Sequence, residues 1–246
     1  MTLPIHPINW PSAVLGKLNG LLPTGTLHVL ADLPQITLVG PAMRAWLALS
    51  AAAHEAGHVL HATGAADSYR SLAAQENLFK VRYTLIRPAG LATEHKIWQG
   101  KTWWLIPGQA TAAVPGTSNH GWGIAVDVAN ASGALLTWLV AHAWTYGWSW
   151  ELQSEPWHIR YCTGDNIPQA VLAYEQRNAD VDANTLRKID AVFNVYETVK
   201  LDVVNHEGET QLDAQQGSFP VPFTKRLDAI DAQLAEVLRL LKGVSP

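Results

Sequence analysis

A chain of 246 residues with 48% hydrophobic composition can bury one substantial core with an appendage, or two small ones. Seventeen Lys and Arg against 21 Asp and Glu give a formal charge of -4 with no basic run, which argues against nucleic acid or an anionic membrane as partner. A single cysteine, Cys162, excludes a disulfide framework and a thiolate zinc site, so any metal would rest on carboxylates and the ten histidines.

The opening MTLPIHPINWP holds prolines and a histidine but no basic stretch leading into an apolar run, so no secretory leader is expected and the chain is expected to start out in the cytoplasm. The longest apolar stretch, Ala42 to Ala53, is interrupted by Arg44 and is too short to span a bilayer. It reads as part of a helix from Pro41 to Ala56, with proline at the start and Gly57 where helices close in the left-handed conformation. His58 to Thr63 then reads as a strand. The stretch His54-Glu55-Ala56-Gly57-His58 fits the H-E-x-x-H pattern of zinc peptidases, but that chemistry needs both histidines one turn apart on a continuing helix. Gly57 puts His58 past the break, so the stretch is expected to be a helix terminus with His54 near the C-terminal dipole.

From Trp10 to about Tyr174 the chain is rich in Gly, Pro and Trp, with short periodic segments, as in an α+β unit. Within it, SNHGWGIAVDV (residues 118–128) frees the backbone with two glycines. An alternating strand then puts Ile124, Val126 and Val128 on one face and Ala125, Asp127 and Ala129 on the other. Asp127 thus shares its face with small residues, which leaves room for an ion. GALLTWLVAHAWTY (133–146) reads as a helix ending at Gly147, Trp148 to Leu152 alternates as a strand, and QSEP turns into Trp157-His158-Ile159-Arg160-Tyr161. Pro156 forces Glu155 out of the helical region, so Glu155 and His158 meet through a bend. One Asp and two His make a three-ligand zinc set with an open fourth position, and a nearby Glu that is not a ligand is what a zinc hydrolase needs. Trp103, Trp104, Trp122 and Trp157 are candidates for a cleft wall, though such large aromatics more often fill a core.

After Asp182 there is no tryptophan, and apolar residues fall at helical spacing: Leu186, Ile189, Phe193 and Tyr196, then Leu227, Ile230, Leu234, Val237 and Leu241. The second series forms an a/d seam of about two heptads. QQGSFPVPF (215–223) breaks the two helices and permits a hairpin. The expected division is therefore 1–178 as the catalytic unit and 179–246 as a helical tail that folds on itself, joins a twin chain into a homo-oligomer, or serves as a targeting module.

Ser118-x-His120-x-x-Gly123-x-Ala125-x-Asp127, with Glu155-Pro156-Trp157-His158-x-Arg160-Tyr161 and the earlier block Ser68-Tyr69-Arg70-Ser71-Leu72-Ala73-Ala74-Gln75, resembles the signature of the VanY-type D-alanyl-D-alanine carboxypeptidases. These belong to the LAS zinc peptidases, so the resemblance implies a hedgehog/DD-peptidase-like antiparallel sheet with flanking helices. It implies that His120, Asp127 and His158 bind Zn²⁺ and that Glu155 is general base and acid. It also implies that Arg70 meets an oxyanion or a substrate carboxylate, while Gln75 and Ser118 orient either the substrate or a ligand histidine through its other ring N–H. Two departures stand out: Ser68 occupies the usual glycine position after Asp67, and the insertion from Lys80 to Pro115, with its RYTLIRPAG and KIWQGKTWWLIPG strands, is longer than a minimal connection. The substrate implied is the D-Ala-containing stem peptide of peptidoglycan, and the setting expected is a phage endolysin released by a holin. The alternatives are an L-Ala-D-Glu or cross-link endopeptidase of the same fold, or a catalytically silent wall-binding virion component.

Overall fold

The computed structural model describes residues 2–30, 35–89 and 94–179. Leu27–Leu30 (β1) and Ile36–Val39 (β2) pair antiparallel, with Leu27 opposite Val39 and Leu30 opposite Ile36. β2 runs directly into Gly40–Glu55 (α1), where Pro41 sits in the first turn and removes only an N–H that has no helical partner. One face of α1 buries Ala42, Ala45, Trp46, Leu49 and Ala53, the stripe expected of a surface helix. α1 ends as its sequence predicts: Gly57 is left-handed at φ 81°, and His58 N–H reaches back to the Ala53 carbonyl at 2.8 Å, closing the last turn. The strand expected over His58 to Thr63 does not form. Ala62 makes an isolated bridge to Val128, flanked by Thr63 N–H on the Asp127 carbonyl and Ala129 N–H on the His61 carbonyl, both at 2.9 Å, and the pairing stops where Asn130 takes a positive φ of 53° that an extended strand cannot hold.

Leu72–Arg82 (α2) is capped by Ser71, whose hydroxyl accepts from Ala74 N–H at 3.3 Å, and it closes on Lys80 and Arg82, the charge sign that a helix C-terminus favours. The insertion that follows makes its own antiparallel sheet of Tyr83–Thr84 (β3), His95–Trp98 (β4) and Lys101–Leu105 (β5), in the order β3-β5-β4. Gln99 and Gly100 both have positive φ, the two-residue turn whose twist matches a hairpin. A small separate cluster of Phe79, Tyr83 and Trp98 ties this sheet to α2, with Phe79 stacked on Tyr83 at 4.4 Å.

The third sheet has the order β6-β8-β7, all antiparallel, from Ala125–Asp127 (β6), Trp148–Trp150 (β7) and His158–Tyr161 (β8). Gly133–His142 (α3) and the tight helical turn Ala143–Tyr146 connect β6 to β7 and close at left-handed Gly147, where the sequence places the stop. Val126, Trp148, Trp150, Ile159 and Tyr161 bury into the main core, and Trp46 meets Trp148 edge to face at 5.8 Å. The N-terminal segment straps this sheet. Ile5 bridges Trp150 in parallel, Asn9 bridges Thr163, and Leu3 exchanges hydrogen bonds with the Gln153 side chain at 2.9 and 2.7 Å.

The architecture is therefore α+β with antiparallel sheets. The described residues up to Tyr174 form one compact unit. The tail helices and their hairpin break lie outside the described residues.

A buried polar knot joins the strap to the future site. Asn19 Nδ2 donates to the Ser118 carbonyl at 2.7 Å, Gln75 Nε2 donates to Asn19 Oδ1 at 3.0 Å, and Gly20 N–H reaches the Gly121 carbonyl at 2.8 Å. A Cβ on Gly121 would collide with Asn19 Oδ1 and Gln75 Nε2, which cannot swing aside without breaking the bond between them. Gly121→Ala is expected to destabilise the fold by about 1–3 kcal/mol or more, measured by urea denaturation, because overpacking here also breaks a satisfied buried network.

Candidate metal centre and its cleft

β6 and β8 pair in a register that sets Asp127 directly opposite His158 and Ala125 opposite Arg160. Residues opposite one another share a face, so Asp127 and His158 project together while Val126 and Ile159 turn to the core on the other side. His120 arrives from the tight helical turn Asn119–Trp122, which Gly123 ends in the left-handed conformation at φ 63°. The Ser68 carbonyl can only accept, so it takes His120 Nδ1–H at 2.7 Å and leaves Nε2 toward the other two side chains. Arg70 N–H in turn reaches the His120 carbonyl at 3.1 Å. The Ser68 carbonyl is thus a working part of the site.

His158 Nδ1 lies 2.8 Å from Asp127 Oδ1 and 3.2 Å from His120 Nε2, and His120 Nε2 lies 3.3 Å from Asp127 Oδ1. Tetrahedral zinc with bonds of ~2.0–2.1 Å to nitrogen and oxygen holds its donor atoms ~3.3 Å apart. The triangle therefore fits such an ion, with neutral imidazole and carboxylate donors of the right kind. Among the described residues these three form the one group of His, Cys, Asp or Glu side chains close enough to share a metal. His54 and His58 lie elsewhere: His54 is exposed at the end of α1, and the His58 ring packs against Trp138 at 5.9 Å.

Glu155 is partly buried in the same cleft, a cavity of about 580 Å³ that runs from the His120, Asp127 and His158 side chains to Leu78, Arg82 and Lys96. Arg70 lines it too. Its Nη2 is braced by Asp67 Oδ1 at 3.1 Å and sits 3.8 Å from Asp127 Oδ2, while Nε donates to the Ala66 carbonyl at 3.1 Å. Asp67, the residue before Ser68, is what holds the guanidinium in place. Ser118 and Gln75 also touch the cleft, but both are buried and engaged with protein. The Ser118 carbonyl serves Asn19, and Gln75 donates to Asn19 and the Arg70 carbonyl and accepts from Gly116 N–H. Of the four tryptophans named as wall candidates, Trp157 lines the cleft; Trp103 packs on the small cluster, Trp104 against His95, and Trp122 against Trp10 and the main core.

Glu151 was not singled out from the sequence. Its Oε2 accepts from Asn119 Nδ2 at 2.7 Å and from His158 Nε2 at 3.1 Å, and Oε1 lies 3.7 Å from Arg160 Nη1. The available signal was the alternation of Trp148-Ser149-Trp150-Glu151: two core tryptophans put Ser149 and Glu151 on the opposite face, the face of the metal ligands.

The electrostatics follow from this packing. Burial pushes the Asp127 carboxyl upward, but its pairing with the His120 and His158 rings outweighs burial and holds it far below the usual carboxylate range. The hydrogen bond from His158 brings Glu151 down to about 2 against the effect of burial. Burial disfavours the His158 imidazolium, yet the hydrogen bonds to Asp127 and Glu151 prevail and raise it to about 9. In the metal-free site a proton therefore occupies the place on Nδ1 that a cation would take.

The model of the family described as VanY, D-alanyl-D-alanine carboxypeptidase, matches residues 35–165, more than half of the chain. No curated protein matches the chain significantly. Among solved structures, the chain is similar to the Zn(II) complex of a mutant of the vancomycin-resistance D,D-pentapeptidase VanY from a VanB-type cassette. That match has 18% identity, 65% of this chain and 85% of that one covered, and a TM-score of 0.38. It is also similar to VanYB in complex with D-alanine-D-alanine, at 18% identity with 71% and 92% covered and a TM-score of 0.41. A third match is the LdcB LD-carboxypeptidase, at 20% identity with 56% and 82% covered and a TM-score of 0.32.

Two outcomes are expected. His120→Ala abolishes stoichiometric zinc uptake, measured by atomic absorption after dialysis, while His54→Ala leaves it at the wild-type level; the reverse pattern would put the metal at H-E-x-x-H. The second concerns pH. The raised His158 contributes stability that is complete below its ordinary value of 6.5 and is lost as pH rises through about 9. The lowered Asp127 and Glu151 contribute stability that is complete above their ordinary 3.8 and 4.5 and is lost only in strong acid. Metal-free protein should therefore be most stable between pH 4.5 and 6.5, and its unfolding free energy, read from urea denaturation, should fall toward pH 9 by up to roughly 3 kcal/mol. Zinc uptake at pH 7 should release about one proton, read by calorimetry in buffers of different ionisation enthalpy.

Proposed function

The chain belongs to the VanY D-alanyl-D-alanine carboxypeptidase family, and on that premise we propose that it is a zinc-dependent peptidase acting on D-Ala-containing stem peptides of peptidoglycan. The observation that carries the proposal is the convergence of His120 Nε2, His158 Nδ1 and Asp127 Oδ1, with Glu155 in the same cleft. When bound, Zn²⁺ supplies Lewis acidity, polarising a peptide carbonyl and bringing the pKa of a water near neutrality. His120, Asp127 and His158 would hold it. Glu155, which makes no ion pair with another described side chain, takes the proton of the attacking water and delivers it to the departing amine. Arg70, fixed by Asp67, presents a cation to the oxyanion or to the terminal carboxylate of the substrate.

Carboxypeptidase action is the reading suggested by the family match, and Arg70 beside the ligand triangle is a cation that could neutralise a free C-terminus there. A wall-binding protein without catalysis would have no use for Glu155. A lytic role, as of a phage endolysin, is a further proposal that rests on the sequence reading, and chemistry makes it separable: removing a terminal D-Ala leaves cross-links intact, whereas endopeptidase action dissolves the wall.

Incubation of the zinc-loaded protein with purified muropeptides should release D-Ala, detected by mass spectrometry. Glu155→Gln should lose at least about 100-fold in rate while keeping its zinc, the range for removing a general base. Absence of any product from the loaded wild type would favour the binding protein. Release of soluble fragments from whole sacculi would support lysis, and sacculi trimmed of D-Ala but left intact would overturn it.

A further inference from the structure

We propose that Glu151 is a positioning residue for the metal centre: its carboxylate fixes the His158 ring so that Nδ1, and not Nε2, is the donor atom. The inference rests on the zinc reading above and concerns a residue outside the ligand set and outside the proton-transfer role of Glu155.

An imidazole can offer either nitrogen, and a ring free to flip would spread its lone pair between two places. Here Nε2 faces Glu151 Oε2 at 3.1 Å. An ionised carboxylate only accepts, so Nε2 must carry the hydrogen and the lone pair available to a cation is at Nδ1, on the side of Asp127 and His120. Glu151 is itself held. Asn119 Nδ2 donates to the same Oε2 at 2.7 Å, Arg160 Nη1 stands 3.7 Å from Oε1, and the preceding Trp150 is fully buried and donates its indole N–H to the Pro156 carbonyl at 2.9 Å. Asn119 immediately precedes His120. One carboxylate therefore ties together the two segments that bring the histidine ligands, and its own place is set by the tryptophan core beneath it.

The test uses the full chain. Zinc affinity is measured by competition with a chromophoric chelator, and long-range ¹⁵N–¹H NMR of the zinc-loaded protein reports which nitrogen of each histidine carries hydrogen. Wild type should show His158 protonated at Nε2. Glu151→Ala should weaken zinc roughly 10–100-fold, the usual effect of losing such a partner, and should lose the single ring pattern at His158. Glu151→Gln should recover most of the affinity and the wild-type ring pattern, because its amide oxygen can accept the same N–H. It also keeps the proposal testable should the alanine variant fail to fold. Glu155→Gln should bind zinc within about 3-fold of wild type, which separates positioning from proton transfer. Wild-type affinity and ring pattern in Glu151→Ala would overturn the proposal, as would an equal loss in Glu151→Gln. Failure of the wild type to bind zinc would instead overturn the functional reading beneath it.

Discussion

The site depends on one register. Asp127 and His158 are cross-strand neighbours in β6 and β8, so two of the three donor atoms meet because the backbone ladder puts them there. A slip of either strand by one residue would turn its ligand into the core and bring Val126 or Ile159 to the cleft in its place, so the two donors could no longer meet. The register is protected by what lies on the opposite face: Ile124, Val126, Trp150 and Ile159 are all fully buried, and exposing them would forfeit about 1.5–3 kcal/mol for each aliphatic side chain alone. The hydrophobic core and the ligand geometry are thus two faces of the same constraint.

The third donor has no strand to place it, and the chain compensates with polar contacts. His120 sits on a short helical turn, gripped through its ring by the Ser68 carbonyl and through its own carbonyl by Arg70 N–H. Beneath the turn, Asn19, Gln75 and the backbone of Ser118 and Gly121 form a satisfied network. Buried polar groups are tolerable when every partner is present, and they then fix position more sharply than apolar packing can. Asn19 comes from the N-terminal segment, which lies before the residues matched by the family model, so this part of the support is supplied by a region outside that match.

Much of this was legible in the sequence for identifiable reasons. Gly57 marked the end of α1 because few other residues adopt positive φ there, and it puts His58 beyond the helix turn that H-E-x-x-H chemistry requires. The strand carrying Asp127 and the bend at Glu155-Pro156 were readable from alternation and from proline sterics. The strand expected at His58 to Thr63 was not there, because β-rich composition cannot tell whether a partner strand is long enough to pair with it. Asn19 and Glu151 escaped for a different reason. Each acts through hydrogen bonds to residues distant in the chain, and no local pattern encodes a partner 99 or 32 positions away.

The two sides of the cleft are not held with equal force. The ligands stand on β6 and β8, backed by the main core, whereas the wall bearing Arg82 and Lys96 belongs to α2 and the inserted sheet, whose own buried cluster is Phe79, Tyr83 and Trp98. That wall is braced further by backbone contacts, Arg82 Nη1 to the Thr111 carbonyl and Lys96 Nζ to the Ala112 carbonyl, both at 2.7 Å. Local stability follows buried apolar contact, so opening fluctuations should concentrate on the inserted side while the ligand triangle stays fixed. This division suits a hydrolase acting on a peptide: the reacting bond needs donors held within a fraction of an ångström, whereas the flanking residues of a substrate need a surface that can yield as they enter.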